Sequence, residues 1–463
     1  MKDLKSSNNN NNQEDKEQAA EKSSVNLNLK FALICSSIGI ILGHLLRDFQ
    51  QKAPIMIDSK DPSLFRGLNG LKEEYDLVIV GAGLSGAVIA ERARNELGLS
   101  SLVIDKREHI GGNCYDYIDQ HGIRVSLYGV HIFHTKFPRV ENYVKQFSDW
   151  VPYHHRVVGR VRDQNNTEKI VPIPPNIDTV NILFDANIDT EDDMVRWLDE
   201  RRPKSDKPPQ NGEEMSISRV GTDLYEKIFK PYTRKQWDKW PADLDASVLA
   251  RLPYRTNRDD KYFDDYFQAL PRDGYTAIFE KMLLNNDEID VRLNVDYFKV
   301  MEDLPKHKLL VFTGPIDAYF ASQGLAKLEY RSIYFETEYL EPNGGFFQPA
   351  WVVNHPGGEY GWTRISEYKH APNQPQGVEK LPGTIIYREY SSDVGDPYYP
   401  VPNPRNQELY SKYQKLATEE KGVTFVGRLA SYKYFNMDQA ILNALELFDK
   451  LKEEGKVTGK KKQ

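Results

Sequence analysis

Residues 75–86 read YDLVIVGAGLSG, and no other stretch restricts the fold as strongly. Four consecutive aliphatic residues, Leu77 to Val80, run into a glycine cluster. That is the pattern of a strand buried on both faces. Gly81, Gly83 and Gly86 then complete a G-x-G-x-x-G spacing. The first glycine permits a tight turn, the second lets backbone approach a pyrophosphate, and the third lets the following helix pack on the strand. A pyrophosphate placed there meets the positive end of a helix dipole. The glycines alone are a weak signal. A second apolar run at 101–104 ends in Asp105, nineteen residues past Gly86. An acid at that place can accept hydrogen bonds from ribose hydroxyls. An ordinary strand–turn–helix would have to supply three glycines and the acid by coincidence. The expected fold class is α/β with a Rossmann-like dinucleotide-binding domain.

The chain has 463 residues, enough for two or three domains. Its net charge of −7 argues against a nucleic-acid partner. Cys35 and Cys114 are the only cysteines, and no Cys/His spacing suggests zinc. Residues 1–24, with asparagines at 8–12, read as a disordered tail. A mostly apolar run at 31–46 is bracketed by Lys30 and Arg47. A spanning helix needs about 20 apolar residues, so 25–49 is expected to form a single membrane anchor. Positive charge on both sides leaves its orientation undetermined. Residues 50–74 read as a linker, with the globular part starting near Tyr75.

The order after Asp105 favours a flavin over a nicotinamide. Lys106 is followed by Gly111-Gly112-Asn113, a second tight approach of backbone behind the nucleotide site. This order is similar to that of large FAD-binding oxidoreductases. Near the other end, 422–428 reads as a short strand, and a helix is expected from Asn436. Asn436 suits an N-cap, Gln439 suits the reciprocal position, and Ile441, Ala444, Leu445 and Phe448 form its apolar stripe. Such a helix could aim its positive end at a flavin, with Asn436 and Met437 beside the cofactor.

A set of separated motifs is more specific: YGVHIFH at 128–134, KQW at 235–237, Thr363-Arg364, and GRLASYKY at 427–434. With Gly111-Gly-Asn113, and from about residue 75 to 451, the chain resembles the bacterial-type UDP-galactopyranose mutases. The resemblance implies an isomerase that interconverts UDP-galactopyranose and UDP-galactofuranose. It also implies reduced FAD, whose N5 attacks the anomeric carbon without net redox change, and a cellular reductant to keep that flavin reduced. It implies catalytic roles for His131, Arg251 and Arg364. The two arginines would clamp the leaving diphosphate, since planar guanidinium forks suit phosphate. Tyr262, Tyr399 and Tyr434 match phenols on the same diphosphate. Tyr232 matches the aromatic that stacks on uracil, with Phe229 flanking it, and Trp237 matches the tryptophan of a mobile loop. His131 would sit beside the flavin, Arg428 would contact the FAD diphosphate, and Arg331 would face the cofactor. The implied cofactor set is Gly81, Gly83, Leu84, Ser85, Gly86, Asp105, Lys106, Gly112, Asn113, His131, Arg428, Asn436 and Met437. His131 and His134 could share a metal, but no third ligand lies nearby, so no metal is expected and His134 reads as structural. Trp362 stands where the family more often has tyrosine or phenylalanine, and Asn436 stands where some members have aspartate.

The expected architecture is a Rossmann-like FAD-binding domain from 75–157 and 399–455. A helical domain at 176–250, clearest over 189–201 and 220–237, would carry the uracil site and mobile loop. A twisted antiparallel sheet at 251–398 would include strands at 333–339, 346–353 and 384–390. The tail at 456–463 reads as disordered. Two other functions fit parts of this pattern. A conventional amine-oxidase-like flavoenzyme would want an apolar substrate cage, and a membrane-tethered nucleotide-sugar binding protein would lack turnover. The anchor would hold the catalytic part on the cytosolic side, with the lumenal side open as well. A homo-oligomer is left open.

Overall fold

Alternation is absent from Glu74–Val80 because this strand has neighbours on both edges and cover on both faces. Leu77, Val78 and Ile79 have no exposed surface. In the computed structural model, which describes residues 61–342 and 345–459, it is the middle of a five-stranded sheet. The strand order is Ile289–Arg292, Ser101–Ile104, Glu74–Val80, Lys306–Phe312 and Val423–Phe425, all parallel. The helix Leu84–Leu97 follows the glycine turn, and the helix Met437–Glu453 shares its core cluster. The expected stripe of Ile441, Ala444, Leu445 and Phe448 is fully buried there. Each of its larger side chains stabilises the packing by about 1.5–3 kcal/mol.

A second sheet has seven strands, in the order Tyr399–Pro400, Tyr330–Leu340, Thr384–Ser392, Arg364–Glu367, Val352–Asn354, Val157–Arg162 and Glu168–Ile173. It is antiparallel except where Val352–Asn354 runs parallel to Val157–Arg162. The helical segment contains Ile177–Phe184, Glu191–Arg201, Gly212–Leu224, a wider turn at Tyr225–Phe229, and Lys230–Trp237. Thr190 caps Glu191–Arg201 through a reciprocal box with Asp193, and Asn211 caps Gly212–Leu224.

Several expected boundaries differ. The linker read at 50–74 holds a short 3-10 turn, Pro62–Phe65, capped by Asp61. Leu64 is buried, and its carbonyl accepts from the Leu293 amide at 2.8 Å. The strands Ile289–Arg292 and Lys306–Phe312 fall inside the span read as antiparallel sheet, yet they complete the parallel one. The strand Tyr399–Pro400 does the reverse, pairing with Tyr330 and Arg331. Only Val352–Asn354 of the expected strand at 346–353 forms, because the buried Glu367 carboxylate takes the amides of Phe347 and Gln348 at 2.9 Å each. Gly212–Leu224 is broken at Gly221, where φ is 77° and ψ 169°, so the helix expected from 220 begins at that break, and the helix from Gly212 up to it is an addition. Val457, read as tail, is buried. The tail at 1–24 and the anchor at 25–49 lie outside the described residues. Among the described residues no helix is long and apolar enough to cross a membrane.

Candidate active site

The glycine turn is built as its spacing requires. A Cβ on Gly86 would lie 2.0 Å from the Gly81 carbonyl oxygen, and one on Gly112 would lie 2.9 Å from the Gly83 Cα. Gly111 donates its amide to the Ala82 carbonyl at 2.9 Å, so the two glycine turns lie against each other. Gly83 is the N-cap of Leu84–Leu97, and no side chain caps that end. The first-turn amides, at Leu84 and Ser85, are therefore the donors a pyrophosphate needs. Ser85 also packs against Gly427. Asp105 takes the Ala82 amide at 2.8 Å on one oxygen and the Arg107 amide at 2.9 Å on the other. A carboxylate has about four acceptor sites, so capacity for ribose hydroxyls remains after it has shaped the turn. Desolvation raises its pKa. These features fit a bound dinucleotide.

Lys106 and Arg107 both pair with Asp396, at 2.8 and 3.0 Å, and Arg107 donates to Asn113 Oδ1 at 2.8 Å. His131 shares its Nδ1 with the Gly129 carbonyl at 2.9 Å. Burial, with the Arg428 and Arg364 charges, pushes its pKa down to about 4, so the ring is neutral near pH 7. His134 instead pairs with Asp265 and stacks on Phe263 at 3.7 Å, the structural role expected of it.

The second half of the site joins residues from three chain segments. Tyr399 and Tyr434 stack at 4.8 Å with their planes 7° apart. The Arg251 guanidinium lies 3.6 Å from the Tyr434 ring centre, and Arg428 lies 5.6 and 5.8 Å from Tyr434 and Tyr399. Trp237 is 6.4 Å from Tyr434. Arg364 acts electrostatically on Tyr232, Tyr262 and Tyr399, and Arg251 acts on Tyr262. Desolvation raises the pKa of all three phenols, so each is a hydrogen-bond donor at neutral pH. Two arginines and several protonated phenols are the chemistry a diphosphate requires. Phe229 is buried one helical turn before Tyr232.

Three expectations are modified. Trp237 is the last residue of a helix and is buried, and the adjoining Gln236 carbonyl is held by Arg331 and Ser391. Arg331 also pairs with Asp393, so it ties the end of this helix down. Arg428 donates to the Phe435 carbonyl at 2.6 and 3.0 Å, shaping the 428–435 loop beside its site role.

Other residues were not singled out by sequence. Glu389 pairs with Arg364, and Asp438 is a buried acid with one unpartnered oxygen in the first turn of the helix capped by Asn436. The Asn436 amide donates to Gln439 at 2.9 Å, and Met437 is buried behind it. Asn354 Oδ1 is also buried without a partner. An acid twenty-five residues from its arginine carries no local signature, although Asp438 sits in a motif already read as a helix start.

Fold and site together define a Rossmann-type flavin-binding enzyme with a cluster of arginines and phenols suited to a diphosphate ester. The family model for UDP-galactopyranose mutase matches residues 227–434, and that for an NAD(P)-binding Rossmann-like domain matches 79–147. A probable UDP-galactopyranose mutase of Klebsiella pneumoniae is 38% identical over 378 residues, covering 81% of this chain and 94% of the relative. A dTDP-fucopyranose mutase of Escherichia coli is 36% identical over 377 residues, covering 80% and 96%. The chain belongs to the UDP-galactopyranose mutase family. A crystal structure of a reduced UDP-galactopyranose mutase shares the fold, with a TM-score of 0.65 at 16% identity over 82% of this chain and 94% of that one.

Proposed function

We propose that this protein interconverts UDP-galactopyranose and UDP-galactofuranose. The observation that carries the reading is the Tyr399–Tyr434 stack with Arg251 against one ring and Arg364 within electrostatic reach. FAD, when bound in reduced form, supplies a nucleophile for the anomeric carbon with no net redox change. The chain's own residues do the rest. Arg251 and Arg364 neutralise the departing diphosphate, and Tyr262, Tyr399 and Tyr434 donate hydrogen bonds to it. Tyr232 and Phe229 hold the base, and Trp237 closes the cleft wall beside Tyr434. Neutral His131 stands at the flavin side. An amine-oxidase-like reaction would leave these charges without a role.

The dTDP-fucopyranose mutase relative supports a second substrate class, a deoxythymidine-linked 6-deoxy sugar. One experiment separates the readings. Full-length protein is incubated with dithionite and either UDP-galactofuranose or dTDP-fucopyranose, and the sugar nucleotides are resolved by chromatography. UDP-galactopyranose formed only under reduction is the expected result. Turnover of only the dTDP-sugar would move the substrate, and no turnover of either would reject the mutase reading.

The apolar run at 31–46 supports a single N-terminal membrane anchor over 25–49, holding the catalytic region on the cytosolic side, where UDP-sugars are made. Release of the full-length chain from membranes by alkaline carbonate would argue against it. A cellular reductant for the flavin belongs to the same proposal.

A further inference from the structure

Lys235 has no part in the site described so far, yet its ammonium is fully committed. It donates to the backbone carbonyls of His355 at 2.7 Å, Gly357 at 2.5 Å and Trp362 at 3.1 Å. An ammonium has three donors, so this set uses them all. The acceptors lie on the connection between Val352–Asn354 and Arg364–Glu367: His355 opens it, Gly357 follows two residues on, and Trp362 is next to its last residue. That connection reads HPGGEYGW, with three glycines; its His355, Tyr360 and Trp362 rings pack on one another, and Lys235 adds the bonds that tie its backbone to the helix. Its stem is closed by the His355 amide on the Thr363 carbonyl at 2.8 Å, and the next residue is Arg364. On the other side, Lys235 sits on Lys230–Trp237, three residues after Tyr232 and two before Trp237.

We propose that Lys235 is a positioning residue that latches the base-stacking helix to the arginine-bearing hairpin. It thereby sets the separation of Tyr232 and Arg364 that a nucleoside diphosphate needs. The proposal rests on the nucleotide-sugar reading above. A ligand held at two points gains from the second only if the two are already in register; otherwise binding must supply the ordering. Tyr232 and Arg364 do act on each other electrostatically.

The charges around the latch favour a backbone role. Glu359, in the hairpin, is the acid whose field reaches Lys235, and it is paired with Arg162 at 3.2 Å. Arg160 pairs with Glu168, which also accepts from Tyr360, and His355 is held neutral beside them. On the strand behind, Arg388 pairs with Glu338 and Glu389 with Arg364, while Arg234 and Asp238 pair on the helix itself. Burial pushes the Lys235 pKa down to about 8. A partly desolvated ammonium is thus kept for three carbonyls that a neutral side chain could not bridge together.

The test is calorimetric titration of the flavin-loaded, full-length protein with UDP and with uridine, for wild type, K235M, K235Q and K235R, and of wild type with dTDP. UDP engages both halves of the site, whereas uridine engages the base half alone. The expected result is that K235M weakens UDP by about tenfold or more while uridine affinity stays within about twofold, with Arg restoring part of the loss and Gln less. K235M binding UDP like wild type would overturn the latch, as would equal losses for UDP and uridine that track a fall in thermal stability. If K235M does not fold, the same comparison is read from K235Q. A wild-type protein that binds neither UDP nor dTDP would overturn the nucleotide-sugar reading, and the latch with it.

Discussion

One oxygen of Glu389 accepts from Nε of Arg364 at 2.8 Å and also lies 2.8 Å from its Nη2. The two residues stand directly opposite each other on antiparallel strands, so the sheet register itself fixes the guanidinium. Glu389 is 3% exposed, and its backbone carbonyl also takes the Thr363 amide at 2.8 Å. Nη1 lies outside the pair. A cation meant for a diphosphate is therefore held from one side by an acid too buried to reach solvent.

Removing that acid should separate stability from binding. Glu389→Ala leaves a largely buried cation unpaired, a loss of roughly 3 kcal/mol or more. Glu389→Gln keeps the shape and loses less, but it frees the guanidinium and should weaken UDP. Urea unfolding and UDP titration on both variants check this. Wild-type UDP affinity in Glu389→Gln would show that the pair does not orient Arg364.

Arg251 gives the opposite pattern. It is exposed, and its contact is the face of Tyr434. Arg251→Ala should change stability by less than about 0.5 kcal/mol yet lower kcat/KM by about a hundredfold or more, as expected when charge stabilisation of a leaving group is lost. Steady-state kinetics with UDP-galactofuranose would detect it. A loss confined to KM would mean that Arg251 binds ground and transition states alike.

How legible the molecule was depends on how local each signal is. The glycine turn, the cap at Asn436 and the stripe from Ile441 to Phe448 each need only neighbouring residues, and each formed as read. The pairing of Val352–Asn354 with Val157–Arg162 joins strands almost two hundred residues apart, and nothing in either strand announces the other. Residues 346–351 begin with two aromatic residues, but Pro349 has no amide for a ladder, and the remote Glu367 captured the amides of Phe347 and Gln348. Leu64 looked like part of a linker because Pro62, Gly67 and Gly70 break up its short apolar surroundings. In the site, the arginines and tyrosines were placed by motif, whereas Glu389 and Lys235 act through partners the sequence does not pair with them.

Acid should destabilise the fold through histidines kept neutral. Burial pushes the pKa of His109, His131 and His355 down to about 4, and that of His155 to about 3. The unfolded chain binds these protons below its ordinary histidine pKa of about 6.5, while the folded chain does not. Stability conferred by the neutral rings is therefore complete above about pH 6.5 and declines as pH falls toward 4. Thermal melts between pH 7.5 and 4.5 should show a plateau and then a steepening fall. A flat profile across that window would mean that these rings titrate normally in the native state.

Two glycines of one helix offer a paired test of the cofactor cradle. Gly86, near its start, would place a methyl 2.0 Å from the Gly81 carbonyl oxygen, and 3.1 Å from Ile79 Cγ2. The carbonyl belongs to a turn already fixed by the Gly81 amide on Ile104 and the Ala82 amide on Asp105. Relief must open the turn, so Gly86→Ala should lose bound flavin. Gly98 is the left-handed C-cap at φ 67°, and a methyl there would have no neighbouring atom within 4 Å. Gly98→Ala therefore meets only backbone strain of about 1–2 kcal/mol. Absorbance near 450 nm per polypeptide, measured with the melting temperature, distinguishes the two. Gly98→Ala should melt earlier with its flavin retained, whereas Gly86→Ala should come off purification colourless. Equal flavin content in both would mean that the close contact at Gly86 serves packing alone, and that the cofactor is held by residues away from the glycine turn.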